Sequence, residues 1–354
     1  MPTRAVHQFH PTLAPGDAVS SHVFALRERF RAWGHRSEAF AVEAKPGVSD
    51  VLPYRRLFRE LGPEDLLVLH FSIGSEAFSG LVRAPGRKAL VYHNVTPPEF
   101  FEGINPHAAL HTRRGRLQLR TLARDVPLAI GVSEYNRREL EAAGFARTAT
   151  VPILVDWRKY GVTPDRDVAD RYGDGATNIL FVGAIKPNKR QDELVRLLAY
   201  VRRCVDPAAR LLLVGSYRDQ PQYHGRVRAL AASLGLDGSV VFTGPVSDAE
   251  LAAYYGVATA FVSLSEHEGF AMPILESFRF GVPVVALDRA AVGETAGGAA
   301  LLFAEKDHAA IAECVELIRE RPELREKLVR AGNERLEAFD ADRVAARTKE
   351  VLEL

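Results

Sequence analysis

The chain has little of what braces a small or secreted fold. Its 354 residues hold two cysteines, Cys204 and Cys314, with no CxxC and no Cys/His pairing. That spacing excludes a disulfide framework and a zinc-ribbon type of site. Both cysteines sit in apolar helical patterns and read as buried small hydrophobes. No window approaches the roughly 18 apolar residues of a membrane span. The start, "MPTRAVHQFH", lacks the apolar stretch of a signal peptide. A cytoplasmic protein is expected. Net charge is almost absent too, at +1, so nothing global points to nucleic acid. The scatter is uneven, however. Residues 1–155 carry 20 Lys+Arg against 15 Asp+Glu, and the remainder 26 against 30. A basic first half suits an anionic partner or a membrane surface, and equally a random scatter of surface charge.

What is present is a steady alternation of short apolar runs and longer helical patterns. In the first half the runs are "AVHQFH", "SEAFAVE", "DLLVLHFS", "KALVYHN", "LAIGVS" and "TATVPIL". In the second they are "NILFVGAI", "ARLLLVGS", "SVVFTG", "TAFVSLS", "PVVALD" and "ALLFA". Between the first two runs, Val19, Val23, Leu26 and Phe30 recur at helical spacing. Ser247 and Glu250 have capping-box spacing ahead of a helix that stops near Gly256. Continuous apolar strands separated by helices mean parallel sheets covered on both faces. The length fits two such α/β domains. The polar stretch 155–177, rich in Gly, Pro and Asp, reads as the linker. Ligands of paired doubly wound domains bind at the carboxyl ends of the strands.

One stretch concentrates carboxylates where an apolar layer should continue. "EHEGFAMPILES" (266–277) holds Glu266, Glu268 and Glu276. Pro273 suits a first helical turn, so a helix is predicted to start near Met272. "EGFA" is then a strand-to-helix turn whose N–H groups favour an anion. A carboxylate there seeks donors, and sugar hydroxyls are donors that one carboxylate can accept in pairs. The competing reading leaves Glu268 solvated and Glu276 as a helix-start residue. Glu266 is read as solvated.

"EHEGFAMPILESFRFGVPVVALD" resembles the E-x7-E signature of retaining glycosyltransferases of family 4, with Glu268 and Glu276 as its glutamates. "GVSEYNRREL", "NILFVGAIKPNKRQDELV", "LLLVGSY" and "VVFTGPVSDAELAAYY" are similar to family segments in the family's order. The resemblance implies the GT-B architecture: two Rossmann-like doubly wound domains facing across a cleft. Residues 1–160, with a terminal helix from about 339 to 354, would form the acceptor domain. Residues 161–338 would form the donor domain. It implies a retaining, metal-independent hexosyltransferase with no cofactor beyond its nucleotide-sugar donor. GDP-mannose is favoured and a UDP-sugar is the alternative. The acceptor hydroxyl would lie on a sugar or a lipid-linked molecule of cell-surface polysaccharide or glycolipid synthesis.

By the same resemblance, Glu268 holds hydroxyls of the donor sugar and Glu276 those of the ribose. The N–H groups of Gly269, Phe270 and Ala271, beside Met272, reach sugar and phosphates. Gly183 and Lys189 serve the diphosphate, whose leaving charge fixed cations stabilise. The family pattern has an Arg directly after that Gly. Here Ala184 stands there, so Lys186 or Arg190 would supply the second charge, or the protein is a weak or inactive nucleotide-sugar-binding relative. Lys186 and Arg190 also read as solvated surface cations. Gly16 and Asp17 fall where the family has a glycine-rich loop. Asp17 is either a helix N-cap or a contact to an acceptor hydroxyl. His93 ends a strand where a family histidine orients the sugar's 6-position. His10 and His70 also end strands and read as structural. Arg55, Arg56 and Arg59 share one short helix and form either a peripheral membrane contact at the inner face or a solvated surface.

Overall fold

A computed structural model describes residues 5–354. The chain divides into two compact units. The first comprises the chain up to Glu102, Pro106–Asp156 and Phe339–Leu354; the second comprises Gly103–Asn105 and Trp157–Ala338.

Among the described residues the first unit holds seven strands: β1 (Val6–Leu13), β2 (Ala39–Ala44), β3 (Val51–Pro53), β4 (Leu66–Phe71), β5 (Arg87–Tyr92), β6 (Leu128–Gly131) and β7 (Thr148–Thr150). They lie in the order β3-β2-β1-β4-β5-β6-β7, and every pairing is parallel. The chain winds outward from β1 to one edge, then returns to β4 and winds to the other. β1 and β4 therefore flank the reversal point, where open α/β sheets carry their ligands. Helix α1 (Ala18–Ala32) buries Val23, Leu26 and Phe30, the face its spacing predicts.

The second unit holds β8 (Asn178–Val182), β9 (Arg210–Val214), β10 (Val240–Gly244), β11 (Ala260–Ser263), β12 (Val284–Leu287) and β13 (Leu301–Phe303). Their order, β10-β9-β8-β11-β12-β13, is again all parallel and reverses between β8 and β11. Helix α2 (Gln191–Cys204) follows β8 and helix α3 (Met272–Arg279) follows β11. Two continuous apolar strands, "NILFV" and "AFVS", are thus placed side by side with their outgoing loops adjacent.

Helix α4 (Ala341–Leu352) belongs to the first unit. It buries Val344, Val351 and Leu352. Arg87 donates to the Leu352 carbonyl at 3.0 Å, Arg29 pairs with Asp342 at 2.7 Å, and the Lys349 ammonium lies over the Trp33 ring.

Three expectations need correction. The stretch 155–177 is no open linker. It contains a short turn, Trp157–Tyr160, and a helix, Arg166–Tyr172, capped by Asp165. Val168 and Tyr172, one turn apart, are buried and anchor that helix to the second unit. Cys204 is exposed at the end of α2 and Cys314 is half-buried, so neither is a fully buried hydrophobe. Arg55, Arg56 and Arg59 do not share one helix: a 3-10 turn at Tyr54–Arg56 runs into Leu57–Glu60. No helix among the described residues is long and apolar enough to cross a membrane.

Candidate functional site

In the second unit the site begins where β8 stops. Gly183 has φ +146° and Gly215, at the matching end of β9, has φ +142°. A Cβ on Gly215 would stand 2.3 Å from the Gly183 carbonyl oxygen. The backbones can cross this closely only with glycine there. Gly183 N–H donates to Val214 and Ile185 N–H to Ser216, both at 2.8 Å. These bonds hold the loop 183–190 over the strand ends. Ala184 offers no side-chain charge. Its carbonyl accepts from the buried Gln191 amide at 3.1 Å. Lys186 is half-buried at the start of the 3-10 turn Pro187–Lys189. Arg190 then takes a left-handed conformation, φ +51°, as the first cap of α2.

The loop leaving β11 repeats the device. Ala271 is left-handed, φ +63°, and caps α3, with Pro273 in the first turn. A non-glycine residue there costs of order 1 kcal/mol and persists only when its surroundings impose it. They do so here. Thr295 Oγ1 donates to the Phe270 carbonyl at 2.5 Å, and Ala291 N–H donates to the Glu268 carbonyl at 3.2 Å. The two loops are stitched to each other as well. Glu266 N–H donates to the Asn188 carbonyl at 2.9 Å, and the Asn188 amide donates to the His267 carbonyl at 3.0 Å.

Each carboxylate of "EHEGFAMPILES" has protein partners. Lys189 Nζ donates to Glu268. Both groups are largely sequestered, with side-chain exposures of 21% and 11%. Glu266 is part-exposed but not simply solvated as expected: Arg190 and Lys306 both donate to its Oε1. Arg190 also donates to Asp192 at 3.0 and 2.9 Å and to Glu193 at 2.7 Å. Those carboxylates, Asp192 foremost, hold its guanidinium firmly protonated. Glu276 is buried, and its two oxygens accept the phenols of Tyr160 at 2.5 Å and Tyr255 at 2.8 Å. Burial, then the Glu276 charge, pushes both phenols well above the ordinary tyrosine range. Gly269 and Met272 are half-buried, and Phe270 and Ala271 buried, in the same turn.

In the first unit, Gly16 is exposed with φ +70°. Asp17 is the N-cap of α1, accepting from Ser20 N–H and Ser20 Oγ at 2.8 Å each. His93 follows β5, and its N–H continues the ladder to the Phe71 carbonyl at 2.9 Å. Its ring meets a group that strand-end reasoning dismissed. His93 Nε2 lies 3.0 Å from His70 Nδ1, and His70 Nε2 lies 3.0 Å from the Gln8 carbonyl oxygen. His22 of α1 sets its ring edge-on to both, with centroids 5.6 and 5.3 Å away. Burial drives all three below the ordinary imidazole range, His22 to about 3, so they are neutral at pH 7. His10 is satisfied by the Thr12 carbonyl at 2.6 Å and Ser72 Oγ at 2.8 Å.

His22 escaped the sequence reading although its position did not. It lies three residues after Val19 and four before Leu26, on the buried face of α1. Tyr160 was hidden by the linker reading, and Tyr255 by an unremarkable alanine-rich helix. Lys306 had no local signal at all.

Residues 170–335 match the family model described as glycosyl transferases group 1. A D-inositol 3-phosphate glycosyltransferase of Frankia alni is 37% identical over 182 residues, 48% of this chain and 42% of that protein. A GDP-mannose-dependent alpha-(1-6)-phosphatidylinositol monomannoside mannosyltransferase of Mycolicibacterium smegmatis is 31% identical over 184 residues, 48% of this chain and 47% of that protein. The chain thus spans less than half the length of these two curated relatives. Among solved structures, Anabaena HepE in complex with UDP and glucose superposes with a TM-score of 0.77 at 16% identity, over 99% of both chains. WaaG, a glycosyltransferase involved in lipopolysaccharide biosynthesis, gives 0.74 at 12% identity, over 98% of this chain and 99% of that one. At such identities the likeness is one of fold: two Rossmann-like parallel-sheet units of the GT-B class.

Proposed function

We propose that this chain, whose residues 170–335 match the family model described as glycosyl transferases group 1, transfers a hexose from a nucleoside diphosphate sugar to an acceptor hydroxyl with retention of anomeric configuration. The observation that carries the reading is the meeting of Lys189 and Glu268 at the β8/β11 reversal point. Open parallel sheets bind ligands there. One loop brings a fixed cation and the other brings a carboxylate amid backbone donors, which are the partners a sugar diphosphate requires.

In this reading Lys189 leaves Glu268 for the diphosphate and Glu268 turns to the sugar hydroxyls. Glycine at 183 lets phosphate approach the backbone, and the amides of Gly269, Phe270 and Ala271 complete the anion site. Glu276 takes the ribose through lone pairs not used by the two phenols. Arg190 is held by three carboxylates, and Lys186 or Arg190 would supply the second phosphate contact. Asp17, capping α1 next to Gly16, is kept for the acceptor side. His93 is assigned to orienting the sugar's 6-position. No protein nucleophile is assigned; the leaving phosphate would take the acceptor proton on the same face. No metal or cofactor is assigned to this step. GDP-mannose is the favoured donor, in keeping with the mannosyltransferases among the relatives, and UDP-sugars are the alternative. The exposed residues Arg55, Arg56, Arg59 and Phe58 suit a peripheral membrane contact for a lipid-linked acceptor.

A second reading is a nucleotide-sugar-binding relative with little or no turnover. Ala184 favours it, since it removes a cation from the phosphate side. Thermal shift against UDP, GDP, ADP and their sugars identifies the donor, because a bound ligand raises the melting temperature by mass action. NMR of the product then reads the anomeric configuration. Transfer with retention supports the enzyme, an inverted product sinks the mechanism, and binding without turnover supports the second reading. No shift with any nucleotide would count against both.

A further inference from the structure

We propose that His22, His70 and His93 form a binding site for one first-row divalent transition metal ion, of which Zn2+ is the simplest case. The site rests on the first unit alone and shares His93 with the sugar-orienting role proposed above. One ligand atom from each ring lies within 4.8 Å of the other two. The rings come from three different elements: the helix α1, the end of β4, and the residue after β5. Imidazole nitrogen is the favoured ligand of Zn2+, Co2+, Ni2+ and Cu2+. A tetrahedral ion with bonds of about 2.0–2.1 Å sets its ligands about 3.4 Å apart, so the triangle closes on an ion by small ring rotations.

Two independent observations point to a missing partner. Both nitrogens of the buried His22 ring, and Nδ1 of His93, are shut away without any hydrogen bond. Buried polar groups are almost always satisfied, and an ion in the cluster would give the wholly unpartnered His22 ring a partner for one of its nitrogens. The second observation is the support behind His70. The Gln8 amide nitrogen donates to the Val23 carbonyl at 2.9 Å, which turns its oxygen towards His70. His70 Nε2–H must then donate to that oxygen, and Nδ1 carries a lone pair aimed at the cluster. A ligating histidine whose other nitrogen donates to a carbonyl is the usual build of a metal site. His10, with both nitrogens partnered, stays outside the set.

Without an ion, His93 must donate from Nε2 to reach His70 Nδ1, and its Nδ1 is a bare lone pair. With an ion on Nε2, the proton moves to Nδ1 and no net proton is released. Metal therefore changes His93 from an acceptor to a donor at its unpartnered atom. The three neutral imidazoles bring no negative charge, so the bound ion remains dicationic and its fourth position falls to water or an anion.

The test uses the full-length chain, stripped with chelator and titrated with Zn2+ and Co2+. One equivalent should bind, and Co2+ should develop the visible bands of a four-coordinate ion. X-ray absorption of the wild-type Zn2+ form should count three imidazoles, which needs no variant. H22L should abolish the bands, and Q8A should weaken binding by roughly 10- to 100-fold. An exposed pair, His107 and His111, with nitrogens 3.1 Å apart, is the rival site. H107A/H111A should bind as the wild type does. Absence of stoichiometric binding, an absorption fit with fewer than three imidazoles, or binding lost in H107A/H111A but kept in H22L would overturn the proposal.

Discussion

Lys189 donates its ammonium to the Glu268 carboxylate, joining the loop that leaves β8 to the loop that leaves β11. Each is the other's charge partner, and both are largely withdrawn from water. Removing either strands the other, so the double variant K189A/E268A should be less destabilised than the sum of the single variants K189A and E268A. Urea unfolding should give a coupling of about 1 kcal/mol or more. K189A should also lower transfer by roughly 100- to 1000-fold if it serves the leaving diphosphate. A coupling near zero would show that the pair does not hold in solution.

If Glu276 takes the ribose, its carboxylate is already held in place before the ligand arrives. Tyr160 and Tyr255 donate to its two oxygens. E276A leaves two buried phenols without an acceptor and should cost about 2 kcal/mol. E276Q keeps the shape and should cost less, yet it should reduce the melting-temperature rise given by the matching nucleotide. Y160F frees one carboxylate oxygen and should leave that rise intact or larger. A nucleotide response unchanged in E276Q would remove Glu276 from the ribose.

The histidine cluster makes the first unit acid-sensitive. His22, His70 and His93 have folded pKa values depressed by burial, His22 to about 3, while the unfolded chain takes up protons near 6.5. Between those limits the unfolded state binds more protons, so stability falls as pH falls. Each such histidine contributes about 1.4 kcal/mol per pH unit over its window. Chemical unfolding of the metal-free protein at several pH values between 4 and 7 should show this slope. H22L should make it shallower by about one proton. An unchanged slope in H22L would mean that His22 is not buried neutral.

Gly215→Ala should be among the worst single changes in the second unit. Its Cβ would stand 2.3 Å from the Gly183 carbonyl oxygen, and its φ of +142° is already unfavourable for alanine. A loss of about 3 kcal/mol or more is expected by calorimetry. Gly16→Ala is the contrast: φ is +70° but nothing lies within 4 Å. It should cost only the backbone strain, about 1 kcal/mol.

Both parallel sheets were readable because buried strands are written as unbroken apolar runs. "NILFV" and "AFVS" announce themselves, and Pro273 places the start of α3 at Met272, where it is observed. What stayed hidden depends on contacts far apart in the chain. Glu266 reads as solvated because nothing local reveals Lys306, forty residues on. Tyr160 lies in a stretch whose Gly, Pro and Asp content suggested a linker; only Val168 and Tyr172, spaced one turn apart, hinted at a packed helix. The left-handed Arg190 and Ala271 carry no sequence mark, since neither is the glycine or asparagine that such a conformation favours. His22 sat on a correctly predicted buried face, but a helical stripe says that a residue is inside and not what it meets there.

The place of α4 sets an order of assembly. All of residues 157–338 precede Phe339 in synthesis, so the second sheet and its helices can close as soon as they leave the ribosome. The first unit cannot. Its strands appear earliest, yet Trp33, Arg29 and Arg87 wait for Asp342, Lys349 and Leu352. The half of the chain made first is therefore the half finished last. Until then the apolar surface that Val344, Val351 and Leu352 cover stays open to water.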